Sequence, residues 1–110
     1  MDRPGSPQYP REPVLDLEVR AAVIEWRGPA PFYWLPLGEE DSDELAARPE
    51  LSYGWGCVPV MVTIGETEYY TALMPKDGRY LVPLKVAVRR AEQIDLGDVI
   101  EARVEVLAPR

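Results

Sequence analysis

From Val14 to Val23 the chain alternates with period two. Leu15, Leu17, Val19, Ala21 and Val23 fall on one side, and Asp16, Glu18 and Arg20 on the other. This is the pattern of a half-buried strand. The parity then inverts: Ile24 and Trp26 become the apolar members, Glu25 and Arg27 the polar ones. A shift of one residue carries every side chain to the opposite face, so the inversion predicts a bulge or sharp bend near Ala22. Barrel strands bend this way when they cross from one side of a barrel to the other. GPAP (28–31) reads as a turn, and PFYWLPL (31–37), with proline at both ends, suits an edge strand.

Further along, DSDELAARP reads as a short helix capped by Asp41 or Ser42 and stopped by Pro49. YGWGC is a flexible link into the strand CVPVMVTI, and Gly65-Glu66 has the glycine-first signature of a type II′ hairpin. ETEYYTALM returns, PKDG turns, and RYLVPL forms the next strand. VAVRRAEQ is then a helix whose expected core stripe is Ala87, Val88, Ala91 and Ile94. Asp95-Leu96-Gly97-Asp98 closes it, and VIEARVEVL ends the pattern with Ile100, Ala102, Val104 and Val106 facing inward. Six short strands joined by hairpin turns, with two short helices, predict a mainly β fold: a closed or split β-barrel capped by helices.

Composition narrows the class. The 110 residues make one domain, and 46% hydrophobic content supports a single core. Residues 1–13, with prolines at 4, 7, 10 and 13, read as a disordered or polyproline-like tail, leaving 14–108 as the barrel domain. The tail lacks the apolar stretch of a signal peptide, and no run approaches the roughly 20 residues of a membrane span. A cytoplasmic protein without membrane association is expected. The single cysteine, Cys57, excludes an internal disulfide, and the absence of histidine removes imidazole metal sites and Ser-His or Cys-His nucleophile pairs. Cys57 lies in an apolar strand pattern and reads as a small packed hydrophobe.

Charge is unevenly placed within the net −7. Segment 31–50 holds six acids against Arg48 alone, whereas 81–110 balances five basic and five acidic groups. An acidic chain lacks the broad positive field behind most nucleic-acid affinity, so nucleic acid is not an expected partner. The acids at 39–44 lack the spaced ligands and turn glycine of a calcium loop and suit a solvated helix N-terminus. Asp95 and Asp98, at a turn, most simply bond backbone amides. No carboxylate pair stands out as acid and base, and neither metal nor cofactor is expected.

Two features point to a ligand site. Lys85 and Arg89 are four residues apart on the second helix, with Arg90 on its flank, and could together grip a carboxylate or phosphate. The structural alternative is that Lys85 and Arg89 pair with the acids of 39–50 or merely solvate the helix, with Arg89 also able to stack on a nearby ring. Phe32, Tyr33, Trp34, Trp55, Tyr69 and Tyr70 are too many for the interior of a small barrel, so some must line a cleft or face outward. The candidate site is an aromatic and cationic cleft formed by Trp34, Trp55, Lys85, Arg89 and Arg90, binding a small anion without catalysis. Trp34 and Trp55 plugging the barrel ends is the structural alternative. The oligomeric expectation is a monomer or small homo-oligomer.

From Gly78 to Val106, the order strand, Pro83, Lys85, short helix, Leu96-Gly97-Asp98, strand resembles the DNA-binding unit of AbrB/MazE-type regulators. That likeness implies a DNA-binding regulator as the alternative function; an interaction module is the third. Over about residues 15–107, EWRGPAPFYWLPL, YGWGCVPVMVTIG, YYTALMP and RYLVPLKVAVRRAEQIDLGD resemble the bacterial DUF1905 family, which is grouped with YdeI/OmpD-associated proteins. This resemblance implies a six-stranded double-split β-barrel with two capping helices, architecturally related to the AbrB class, and an uncharacterised function.

Overall fold

The computed structural model describes residues 12–27, 31–54 and 56–108. Of the tail expected at 1–13, residues 1–11 fall outside the described residues, as do turn residues 28–30 and Trp55, while Pro13 opens the first strand. The chain forms strands β1 (Pro13–Ala22), β2 (Ile24–Arg27) and β3 (Pro31–Pro36), helix α1 (Glu39–Ala46) and a 3-10 turn (Pro49–Leu51). Then come β4 (Val58–Ile64), β5 (Thr67–Lys76), β6 (Arg79–Leu84), helix α2 (Val86–Glu92) and β7 (Val99–Leu107). The strands build one antiparallel sheet in the order β1-β7-β4-β5-β6-β3-β2, curled into a half-barrel.

The expected first strand is divided in two, so the described residues form seven strands rather than six. Val23 alone separates β1 from β2, yet these strands lie at opposite edges of the sheet. One residue can join the two edges only if the sheet curls until they approach. The inverted parity at Ala22–Ile24 is therefore the sequence imprint of the curl. Val23 is buried, and its backbone is held at both ends by the turn before β7. Its N–H donates to the Asp98 carbonyl at 2.8 Å, and its carbonyl accepts from the Gly97 N–H at 3.0 Å. Gly97 has φ +90°, a conformation that favours glycine. The Leu-Gly-Asp turn thus clamps the bend that closes the fold.

PFYWLP is not the edge strand: β3 pairs with β6 on one side and β2 on the other. Its prolines occupy the two ends of the strand, where a missing donor disturbs the ladder least. Both hairpin turns follow their residue types. Gly65 has φ +59° while Glu66 does not take a positive φ, as type II′ requires. Asp77 and Gly78 both have positive φ (52° and 80°), the type I′ pattern.

The inner face of the curl is apolar. Leu17 and Val19, Val58, Val60 and Val62, Val82 and Leu84, and Ala102, Val104 and Val106 pack as one cluster. Helix α1 and the 3-10 turn add Leu45 and Leu51, and α2 with its following turn adds Val88 and Ile94. Each buried aliphatic side chain of this kind stabilises by roughly 1.5–3 kcal/mol, so this cluster is what holds the curl.

Both helices differ in detail from expectation. Helix α1 begins at Gly38 as N-cap and carries Glu39, Glu40 and Asp41 in its first turn, where the dipole favours acids. Ser42 does not cap it. It is fully buried, and its hydroxyl accepts the Tyr80 N–H at 3.2 Å, docking the helix on β6. In α2, Val88 is buried as expected, and Ile94 beyond it, but Ala87 and Ala91 are exposed. The sheet-facing positions beside Val88 go instead to Arg89 and Glu92, whose polar contacts position the helix.

Candidate functional site

Two polar contacts fix α2 against the barrel. The Arg89 Nε donates to the Leu84 carbonyl at 3.2 Å, and its guanidinium lies 4.2 Å from the Tyr33 ring centroid. Tyr33 and Leu84 are cross-strand partners in β3 and β6, so Arg89 covers that pair. One turn on, the Glu92 carboxylate accepts from the Thr67 hydroxyl at 2.6 Å and from the Glu66 N–H at 3.3 Å. The helix is thereby tied to β3 and β6 by one side chain and to the β4–β5 hairpin by another. The stacking considered for Arg89 is formed, on Tyr33.

Beside these contacts α2 borders a depression of about 320 Å³ lined by Val86, Arg89, Arg90, Gln93, Ile94 and Asp95. Gln93 ends the helix in a left-handed conformation, φ 55°, and lets the chain turn so that Ile94 points back into the core. Val86 and Ile94 give the depression an apolar component, and the two guanidinium groups give it positive charge. Asp95 partly offsets that charge. Asp98 accepts the Asp95 N–H at 2.8 Å, the backbone role expected for an acid at this turn. Lys85 and Arg90 are exposed and form no ion pair among the described residues. They do not reach the acids of 39–50, where Arg48 pairs locally with Glu50 at 3.5 Å.

The structure sets Trp34 apart from the cations of the expected cleft. Arg89 and Arg90 lie in α2 and Lys85 is its extended N-cap residue, but Trp34 follows Tyr33 on β3 and therefore faces the other side of the sheet. There it pairs with Ile24, while Trp26 pairs with Phe32. Trp34 is buried, with ring centroids 5.8 Å from Trp26 and 5.5 Å from Phe32, and the Lys76 Nζ sits 4.1 Å over Trp26. Trp55 lies outside the described residues. Tyr33, not Trp34, is the ring beside the cations. Gln93 and Asp95, which also line the depression, carry no pattern in the sequence that marks them.

Other chemistry-bearing residues have structural partners. Half-buried Cys57 places its Sγ 3.4 Å from the Met74 Sδ. Tyr69 donates to the Pro83 carbonyl at 2.9 Å, and burial pushes its phenol pKa well above the ordinary value. The Arg103 guanidinium grips Asp16 at 2.8 Å and lies 3.6 Å from buried Glu105. Its hydrogen bonds hold the Asp16 carboxyl below the usual range. Among the described residues, no group of three or more Cys, Asp and Glu side chains is arranged to hold a metal, and no helix is long and apolar enough to cross a membrane.

Neither a curated protein nor a solved structure matches the chain significantly. A family model does, over residues 20–104, from within β1 to within β7, and so across Val23, Tyr33, all of α2 and the Leu-Gly-Asp clamp. The chain belongs to the family described as Domain of unknown function (DUF1905).

Proposed function

We propose that this chain is a small non-catalytic binding module for an organic anion, seated in the depression beside α2. The observation that carries the reading is the pairing of Arg89 and Arg90 over an apolar component from Val86 and Ile94. Arg89 is held by its Nε and its stack on Tyr33, which leaves its terminal N–H groups as donors already oriented. Arg90 adds a second, exposed donor set, and Lys85 raises the local potential in an otherwise acidic protein. Guanidinium groups bind carboxylate and phosphate through paired N–H donors. A site with few fixed charges and some apolar surface suits a small carboxylate with a hydrophobic part.

The test is a chemical-shift titration of the full chain with benzoate and, separately, inorganic phosphate. Benzoate is expected to move the backbone resonances of Val86, Arg90, Gln93 and Ile94, with the shifts lost in Arg90→Ala. Shifts confined to phosphate would indicate a purely ionic site and remove the apolar half of the proposal. No shift with either probe at millimolar concentration would refute the reading. A salt-sensitive gel shift with duplex DNA would favour the regulator alternative instead, against the expectation from net charge −7.

A further inference from the structure

The depression beside α2 holds charges of both signs, and the structure keeps them apart. Arg89 and Arg90 stand on the last turn of the helix, and Asp95 follows just beyond the left-handed Gln93. All of these residues line one surface. The simplest fate of a carboxylate beside two guanidinium groups is an ion pair with one of them, as Asp16 makes with Arg103 at 2.8 Å. None forms here. Among the described residues, the side chains of Arg90 and Asp95 have no hydrogen-bond or ion-pair partner. Arg89 is committed to the sheet, with its Nε on the Leu84 carbonyl and its guanidinium over Tyr33. Asp95 is held by its main chain. Its N–H donates to the Asp98 carboxylate at 2.8 Å, and its carbonyl accepts the Asp98 N–H at 3.1 Å. Those two bonds fix the backbone and leave the Asp95 carboxylate free.

A plain carboxylate answers only half of this arrangement. Seated on the arginines, it places a second negative charge on the small surface that already carries Asp95, and like charges repel. A doubly charged phosphate is opposed more strongly. A ligand that carries an ammonium group as well as a carboxylate answers both signs. Its carboxylate takes the paired N–H donors of the guanidinium groups. Its ammonium, which has donors and no acceptor, takes the Asp95 carboxylate and the amide oxygen of Gln93.

Size and surface narrow the class further. The depression, about 320 Å³, lies at the small end of the roughly 300–1,000 Å³ typical of ligand clefts, which suits one small molecule. Val86 and Ile94 supply apolar surface for a hydrophobic substituent. Building on the anion-binding reading of this depression, we infer that its ligand is a free amino acid with an apolar side chain. The carboxylate lies on Arg89 and Arg90 and the ammonium on Asp95. Asp95 is then the residue that sets specificity, favouring a zwitterion over a simple anion of the same shape.

The test is a chemical-shift titration of the full chain with three probes built on one skeleton. They are phenylalanine, hydrocinnamate, which lacks the ammonium, and phenethylamine, which lacks the carboxylate. Phenylalanine is expected to shift the backbone resonances of Arg90, Gln93 and Asp95 and to bind about fivefold more tightly than hydrocinnamate. That preference equals about 1 kcal/mol, the upper range of an exposed ion pair. Phenethylamine is expected to bind more weakly than phenylalanine. Asp95→Asn keeps the backbone N–H and carbonyl that bond Asp98, and should bring phenylalanine and hydrocinnamate to equal affinity. Equal affinities in the parent would overturn the inference and leave the anion-binding module standing. So would a fivefold preference that survives Asp95→Asn, because the ammonium would then sit elsewhere. Phenethylamine binding as tightly as phenylalanine would remove the role of the arginines and overturn both readings. No shift with any of the three at millimolar concentration would likewise overturn both.

Discussion

Replacing Gly65 by alanine tests the α2 clamp, because the hairpin and the helix meet at that glycine. Two penalties apply, and they are separable. The first is conformational: φ is +59°, and a residue with a Cβ costs roughly 1–2 kcal/mol in the left-handed region. The reduced freedom of the unfolded chain offsets about 0.4–1 kcal/mol of this. The second is steric: a Cβ on Gly65 would overlap the Glu92 carboxylate. Glu92 must then withdraw from the Thr67 hydroxyl and the Glu66 N–H. Hydrogen bonds to charged groups contribute about 1.5–3 kcal/mol when well buried, and these are only partly so. About 1–2 kcal/mol for the two together is a fair magnitude. Gly65→Ala should therefore cost about 2–3 kcal/mol in a urea titration. Gly97→Ala, where φ is also positive but a Cβ meets nothing within 4 Å, should cost only about 1 kcal/mol. The decisive measurement is Gly65→Ala in a Glu92→Ala background. With the carboxylate gone, only the backbone penalty remains, so the cycle should show a coupling of about 1–2 kcal/mol. Additive losses, within about 0.5 kcal/mol, would show that Glu92 does not occupy the hairpin in solution.

Two further outcomes follow from the packing of α2 and β5. Arg89→Ala should cost about 1–2 kcal/mol through loss of the Tyr33 stack and the Leu84 contact, while Lys85→Ala should stay within about 0.5 kcal/mol. A loss above about 3 kcal/mol for Arg89→Ala, by denaturant titration, would make that side chain a structural strut rather than a ligand group. Tyr69 gives a pH dependence. Its folded pKa lies above the ordinary value of 10.0, so its stabilising contribution is intact below that pH and declines as pH rises from there towards the folded value. Stability measured from pH 8 to 11 should fall in the parent and fall less steeply in Tyr69→Phe; parallel curves would contradict the burial of this phenol.

Much of the fold is legible in the sequence because it depends on periodicity and turn chemistry. The parity change at Ala22–Ile24 announces the bend, Gly65 and Asp77-Gly78 announce the hairpins, and the apolar alternation of 99–107 selects the inward face of β7. What escapes is whatever depends on which elements meet. The edge position of β2 follows from closure of the sheet, not from anything local in IEWR. The stripe Ala87, Val88, Ala91 was expected by hydrophobicity, but the Tyr33 ring and the hairpin backbone gave Arg89 and Glu92 better contacts at the sheet. For the site, the helix cations were readable as a cluster. Their aromatic neighbour was not, because Tyr33 and Trp34 are adjacent in sequence and only the strand's facing decides between them.

The segment 83–98 shows how far architecture accounts for its polar groups. The Pro83 carbonyl accepts from Tyr69 and the Leu84 carbonyl from Arg89. Glu92 binds the hairpin, Asp98 accepts the Asp95 N–H, and the Gly97 N–H with the Asp98 carbonyl holds Val23. Each of these is explained by the need to close a seven-stranded sheet with a helix across it. The side chains of Lys85, Arg90 and Gln93 make no hydrogen bond or ion pair among the described residues. Exposed polar side chains need no partner, so their freedom alone proves nothing. Their placement is what counts, since Arg90 and Gln93 border the same depression as the fixed guanidinium of Arg89. A substitution at Arg90 therefore separates ligand binding from folding more cleanly than one at Arg89, whose loss disturbs both.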